Sequence, residues 1–125
     1  MGKVQRFEDM DVWKLARELA GNIYRTSNHM QFFRDFGLRE KIRRASVSIV
    51  GNIAEGFEIQ SNPSFCRFLA SARASAAEVR AQLHLDHDLL YIADSDYKAL
   101  VSQAASISRQ LTGFINYLQN SVRKR

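Results

Sequence analysis

Three features of the sequence predict an all-α fold, an up-and-down antiparallel four-helix bundle. Proline occurs once in 125 residues, at Pro63, which excludes a turn-rich β architecture. Long stretches without Pro or Gly are filled by Ala, Leu, Arg and Gln, which are strong helix formers. Apolar residues recur at three- and four-residue spacing in four separate segments. With 46% hydrophobic and 25% charged residues, the composition is that of a folded chain, and the length suits a single domain over 1–125.

The first helix is expected over roughly 9–28, where Val12, Leu15, Ala16, Leu19 and Ile23 form one stripe. Glu8, Asp9 and Asp11 lie at its start, the end of a helix dipole that favours carboxylates. A polar and aromatic connection from His29 to Asp35 follows. The second helix spans roughly 36–57, with Leu38, Ile42, Ala45, Ile49 and Ile53 inward. Gly56 near its end suits either a C-cap or a close approach.

Ser61-Asn62-Pro63 is a helix-start signal, with Ser or Asn as the cap and Pro in the first turn. The third helix, roughly 63–91, carries Phe65, Phe68, Leu69, Ala72, Ala76, Val79, Leu83 and Leu90. Its many alanines and serines surround the helix, which permits close packing from more than one side. Asp94-Ser95-Asp96 opens the fourth, roughly 95–122, with a near-heptad run from Tyr97 through Leu100, Ala104, Ile107, Leu111, Phe114 and Leu118 to Val122. Short connections make neighbouring helices antiparallel.

Helices two and three each carry a polar stripe. Arg44, Ser48, Asn52 and Glu55 lie on one, and Arg67, Ser71, Ser75 and Glu78 on the other. Folding the hairpin about residue 61 sets Arg44 opposite Glu78, Ser48 opposite Ser75, Asn52 opposite Ser71 and Glu55 opposite Arg67. Such a seam specifies register more than it stabilises. If the Arg44–Glu78 pair is buried, Glu78→Ala costs about 2–4 kcal/mol. Arginine partners would hold Glu55 and Glu78 ionised, which argues against a general acid and base. No catalytic residue is expected.

The stretch Ser48-Ile49-x-x-Asn52-Ile53-Ala54-Glu55-Gly56 resembles the signature of a small four-helix-bundle family. That family is named after proteins encoded in intervening sequences of 23S ribosomal RNA genes. Phe7-x-x-Met10-x-Val12-Trp13-x-x-Ala16 is similar to its opening, and Phe65-x-x-Phe68-Leu69-x-x-Ala72-x-x-Ser75-x-x-Glu78 to its third helix. The resemblance implies a ring-like homo-oligomer, a pentamer, and little chemistry, since the family has no established enzymatic activity. A related bundle, the accessory protein of diversity-generating retroelements, binds nucleic acid and a reverse transcriptase through basic surface; this is kinship of fold. The chain departs from the family in carrying Val50-Gly51 where Pro is frequent, which leaves a bend there open. It also has Phe57 where a basic residue often follows the Glu-Gly pair.

A net charge of +5 is modest for one subunit but multiplies on a ring. The candidate nucleic-acid contacts are Arg39, Lys41, Arg43, Arg73, Arg80, Arg123, Lys124 and Arg125. The expected partners are other copies of the chain and RNA or DNA; the alternative is a protein-interaction scaffold or an accessory subunit of a nucleic-acid enzyme. No cofactor is expected. His84, His87 and Asp88 share a helix but read as surface polarity rather than a metal site. A single Cys66 excludes an internal disulfide and reads as a small packing residue. No apolar stretch is long enough for a membrane span or signal segment, so a cytoplasmic setting is expected. Trp13, Phe32, Phe33, Phe36 and Phe57 exceed the needs of a four-helix core, so some should be exposed at a self-association surface.

Overall fold

The computed structural model describes residues 4–123, with side chains described as far as residue 120. A 3-10 turn (Phe7–Asp9) leads into α1 (Asp11–Thr26), followed by a single helical turn α2 (Met30–Arg34). Then come α3 (Phe36–Ile59), α4 (Asn62–Asp88) and α5 (Asp94–Arg123), with no strand among the described residues. The structure is a four-helix bundle in which α4 packs on α3 and α5, and α1 closes the circuit between them.

The apolar stripes meet at the centre. Leu19, Ile49, Ile53, Leu69, Val79, Leu83, Ile107 and Leu111 are fully buried, and Ala16, Ala72, Ala76 and Ala104 let the backbones come close. Each buried Leu or Ile contributes about 1.5–3 kcal/mol relative to exposure. Edge-to-face contacts between Phe65 and Phe114 (5.1 Å) and between Phe57 and Phe65 (6.2 Å) close the end nearest the α3–α4 turn. Val122, in the expected fourth-helix stripe, lies outside the residues whose side chains are described.

The structure corrects several local expectations. The connection from His29 contains a helical turn, which buries Phe32 and leaves Phe33 outside. Asp35 then caps α3 by accepting from the Leu38 N–H at 3.1 Å. Leu90 is not a core residue: α4 ends at Asp88, and Leu90 is 88% exposed with φ 63°. Ser61 takes the position before α4, yet its side chain makes no capping bond. Trp13 and Phe32 are buried, Phe57 is half-buried, and Phe36 is 67% exposed.

Gly56 does not end α3. The helix runs three residues further, stopping at Gln60 in the left-handed region (φ 59°). Gly56 is instead where α4 comes closest: a Cβ there would stand 2.7 Å from the Phe68 Cβ and 2.9 Å from the Phe65 ring. Gly51 is the opposite case, with open space around a would-be Cβ inside the same unbroken helix. Gly56→Ala is therefore expected to destabilise by about 1–3 kcal/mol through overpacking. Gly51→Ala should stabilise by about 0.5–1 kcal/mol through helix propensity. Chemical denaturation of the two variants checks the opposite signs.

Candidate nucleic-acid interface

The polar seam between α3 and α4 keeps the expected register but not the expected ion pairs. The Ser48 and Ser75 hydroxyls are hydrogen-bonded at 2.9 Å. Asn52 turns back along its own helix, donating to the Ser48 carbonyl (2.8 Å) and hydroxyl (3.0 Å) rather than reaching Ser71. Arg44 and Glu78 line the same groove of about 510 Å³, with Phe36, Lys41, Ser48 and Ser75, yet form no salt bridge. Arg67 donates to Ser64 (2.8 Å), and Glu55 forms no salt bridge with it. The reason is exposure: Arg44, Glu55, Arg67, Ser71 and Glu78 all face solvent, where holding two long side chains together gains little. Glu78→Ala therefore breaks no buried pair, and the large cost that burial would have brought does not apply.

The candidate cations fall into two sets with different surroundings. Arg39 is tied down: it pairs with Glu40 at 3.1 Å and donates to the Phe33 carbonyl at 2.9 Å. Its guanidinium also lies over the Phe33 (4.4 Å) and Phe36 (5.1 Å) rings. Arg43 closes the end of α1, donating to the Ser27 hydroxyl (2.8 Å) and Tyr24 carbonyl (3.3 Å) while covering the Tyr24 ring. The buried Ser27 in turn donates to the Ile23 carbonyl at 2.7 Å. Lys41 is exposed beside the groove.

The second set lies along α4 and α5. Arg73 donates to the Thr112 hydroxyl at 3.1 Å, bridging the two helices, and Arg80 and His84 follow it at helical spacing on α4. Arg80, His84 and, on α5, Arg109 are exposed. The surroundings are short of negative charge. Residues 62–85 contain one carboxylate, Glu78, in the groove on the α3 side, and residues 97–125 contain none. The acidic groups of this half gather instead around the α4–α5 turn, at Asp86, Asp88, Asp94 and Asp96. Arg109 escaped the sequence reading, although the carboxylate-free run around it was visible there. The Arg123 side chain, Lys124 and Arg125 lie outside the described residues.

His84 and His87 serve that turn. His84 Nδ1 is 2.6 Å from the Tyr97 hydroxyl, and the His87 ring stacks on Tyr97 with centroids 3.9 Å apart. His87 Nε2 also reaches Asp94 at 3.0 Å, and Lys98 pairs with the other oxygen of Asp94 at 3.1 Å. Both partners hold the Asp94 carboxyl below its ordinary pKa, with the Lys98 hydrogen bond the larger cause. No group of three or more metal-binding side chains occurs among the described residues. None of the described helices is long and apolar enough to cross a membrane.

These features define a four-helix bundle with an open polar groove on one side and a carboxylate-poor basic face on another. The 23S rRNA-intervening sequence protein family matches residues 8–113, and the chain belongs to that family. A solved structure from Bacteroides thetaiotaomicron VPI-5482, a protein of unknown function from the S23 ribosomal protein family, is similar with a TM-score of 0.77. It is 27% identical over 83% of this chain and 97% of its own. No curated protein shows a significant match.

The two neighbouring arginines of α3 should separate cleanly. Arg43→Ala removes the closure of α1 and is expected to cost about 1–3 kcal/mol. Arg44→Ala and Glu78→Ala should stay within about 0.5 kcal/mol of the parent, as exposed changes do. Thermal melts of the three variants check this.

Proposed function

We propose that this protein is a non-enzymatic, self-associating bundle of the cytoplasm that binds RNA or DNA through the α4–α5 face. The observation that carries the reading is the charge segregation. Arg73, Arg80 and Arg109 stand within stretches, 62–85 and 97–125, that hold a single carboxylate, Glu78, and the second stretch ends in the basic run Arg123-Lys124-Arg125. Phosphate binding needs cations that no local carboxylate already neutralises. Arg73 is also held in place by Thr112, which reduces the entropy lost on contact. Arg39 and Arg43, already engaged with α2 and with the end of α1, are secondary in this account.

Self-association is supported by apolar surface around the groove and at the nearby bundle end. Phe36 is 67% exposed at the groove, and Val47 is 49% exposed on α3. Ser71, Ala74 and Ala81 give α4 an exposed strip of small residues. A ring of five, as the family resemblance implies, would place several basic faces on one particle and raise affinity by multivalency. A pure protein-interaction scaffold is favoured by one separate observation, the exposure of Met30 (82%) and Leu90 (88%).

Fluorescence anisotropy with a labelled single-stranded RNA distinguishes these readings. Binding should weaken steeply with salt, and the triple change Arg73→Ala, Arg80→Ala, Arg109→Ala should lower affinity at least about tenfold and flatten the salt slope. No binding, or full retention by a folded triple variant, refutes the nucleic-acid assignment. In sedimentation the parent should run larger than a monomer at micromolar concentration, and Ala74→Glu should shift it toward monomer.

A further inference from the structure

The last turns of α4 bury a carboxyl group with no cation beside it. Asp86 is fully buried; its Oδ2 accepts a hydrogen bond from Gln82 Nε2 at 3.2 Å, while Oδ1 has no partner. The same Gln82 amide donates to the Leu38 carbonyl at 2.7 Å, tying α4 to the first turn of α3. Asp35, the cap of α3, accepts from the Leu38 N–H through one oxygen and from the Tyr91 hydroxyl (2.9 Å) through the other. Tyr91 closes the circuit: its N–H bonds the Asp86 carbonyl at 2.9 Å, and its ring stacks on Phe32. One hydrogen-bonded loop therefore joins the α2–α3 elbow to the α4–α5 turn, with Asp86 at its buried end.

The groups that act on Asp86 are few. Asp35 faces it from the elbow, Tyr91 from the turn and Gln82 from its own helix. No Lys, Arg or His of any helix forms an ion pair with it among the described residues. The neighbouring His87 is occupied with Tyr97 and Asp94. An ionised Asp86 would leave a buried charge without a counter-ion, the costliest arrangement available to it, whereas a protonated carboxyl leaves only a neutral group short of one partner.

We propose that Asp86 is a proton-binding site, and that its protonation locks the α2–α3 elbow to the α4–α5 turn while its ionisation releases them. Burial, with the like charge of Asp35 adding to it, raises the Asp86 pKa to about 7 against the opposing Gln82 hydrogen bond. An opened, hydrated junction would return the group toward the ordinary 3.8. The closed form thus holds a proton that the open form does not, so closure is favoured on the acid side and weakens as pH rises toward 7. Tyr91 does not share this titration, because its hydrogen bond to Asp35 pushes its pKa up from an already high value. The lock matters for what the elbow and turn display. Met30 and Leu90, both exposed and both with left-handed backbone (φ 41° and 63°), sit on its two sides. The proton would set how rigidly that apolar end of the bundle is presented, whether or not the basic face binds nucleic acid.

Hydrogen exchange of peptides covering 30–40 and 87–93, corrected for the intrinsic pH dependence of exchange, tests the lock on the intact protein. Protection in both segments should fall by up to about tenfold per pH unit between pH 5 and 7, then level off. Asp86→Asn should abolish that dependence and keep both segments protected at pH 8, and Asp86→Ala serves equally if the amide variant does not fold. His87→Gln should retain the parental dependence. The proposal is overturned if the parent shows no change over this range, if an Asp86 variant keeps it, or if His87→Gln loses it.

Discussion

The closeness of α3 and α4 is the constraint on which the rest of the bundle depends. At Gly56 the two backbones come so near that the Phe68 Cβ would stand 2.7 Å from any added Cβ. The fully buried Ala72 and Ala76 continue the close packing along α4. Once that contact is fixed, Ser48 meets Ser75 and Gln82 meets the Leu38 carbonyl, so the hairpin is pinned along much of its length. A slide by one helical turn would put a phenylalanine against a larger residue than Gly56 and break both hydrogen bonds. Register in this protein is set by shape and by neutral hydrogen bonds, with no ion pair across the seam.

That arrangement leaves the charged residues free for other purposes. Arg44, Glu55, Arg67 and Glu78 stay in solvent, where the hairpin does not need them. Arg43 and Arg39 are drawn into closing helix ends and covering aromatic rings. What remains is an uneven distribution: acidic groups cluster at the α4–α5 turn, and cations run along the shafts of the two helices that meet there. An uneven field of this kind adds nothing to folding, since like charges along one face repel, and under the proposed function its value would lie in attracting an anionic partner.

Much of the fold was legible because it follows from periodicity and punctuation. The stripes of Leu, Ile and Ala located the long helices, and the lone Pro63 located the hairpin around which they pair. Less legible were features decided by the third dimension. The family motif contains Gly56, but whether it ended a helix or admitted a neighbour depended on where Phe68 arrived. Arg44 and Glu78 had complementary charges at matching positions, and their exposure, invisible in a spacing argument, kept them apart. Asp86 belongs in the sequence to a polar helix end, among His84, His87 and Asp88, and only the return of Tyr91 and the elbow around it buries it. Arg109 was missed for a different reason: the eye follows clusters of cations, while the informative signal was a long absence of carboxylates.

The central claim is that the α4–α5 face, and not the α1 or α3 side, meets nucleic acid. Ultraviolet crosslinking of the intact protein to a uridine-rich RNA, followed by peptide mapping, tests it most directly. Crosslinks confined to peptides from 67–87 and 97–123 are the predicted result. Crosslinks concentrated in 11–26 or 36–59, or none at low salt, would contradict the account.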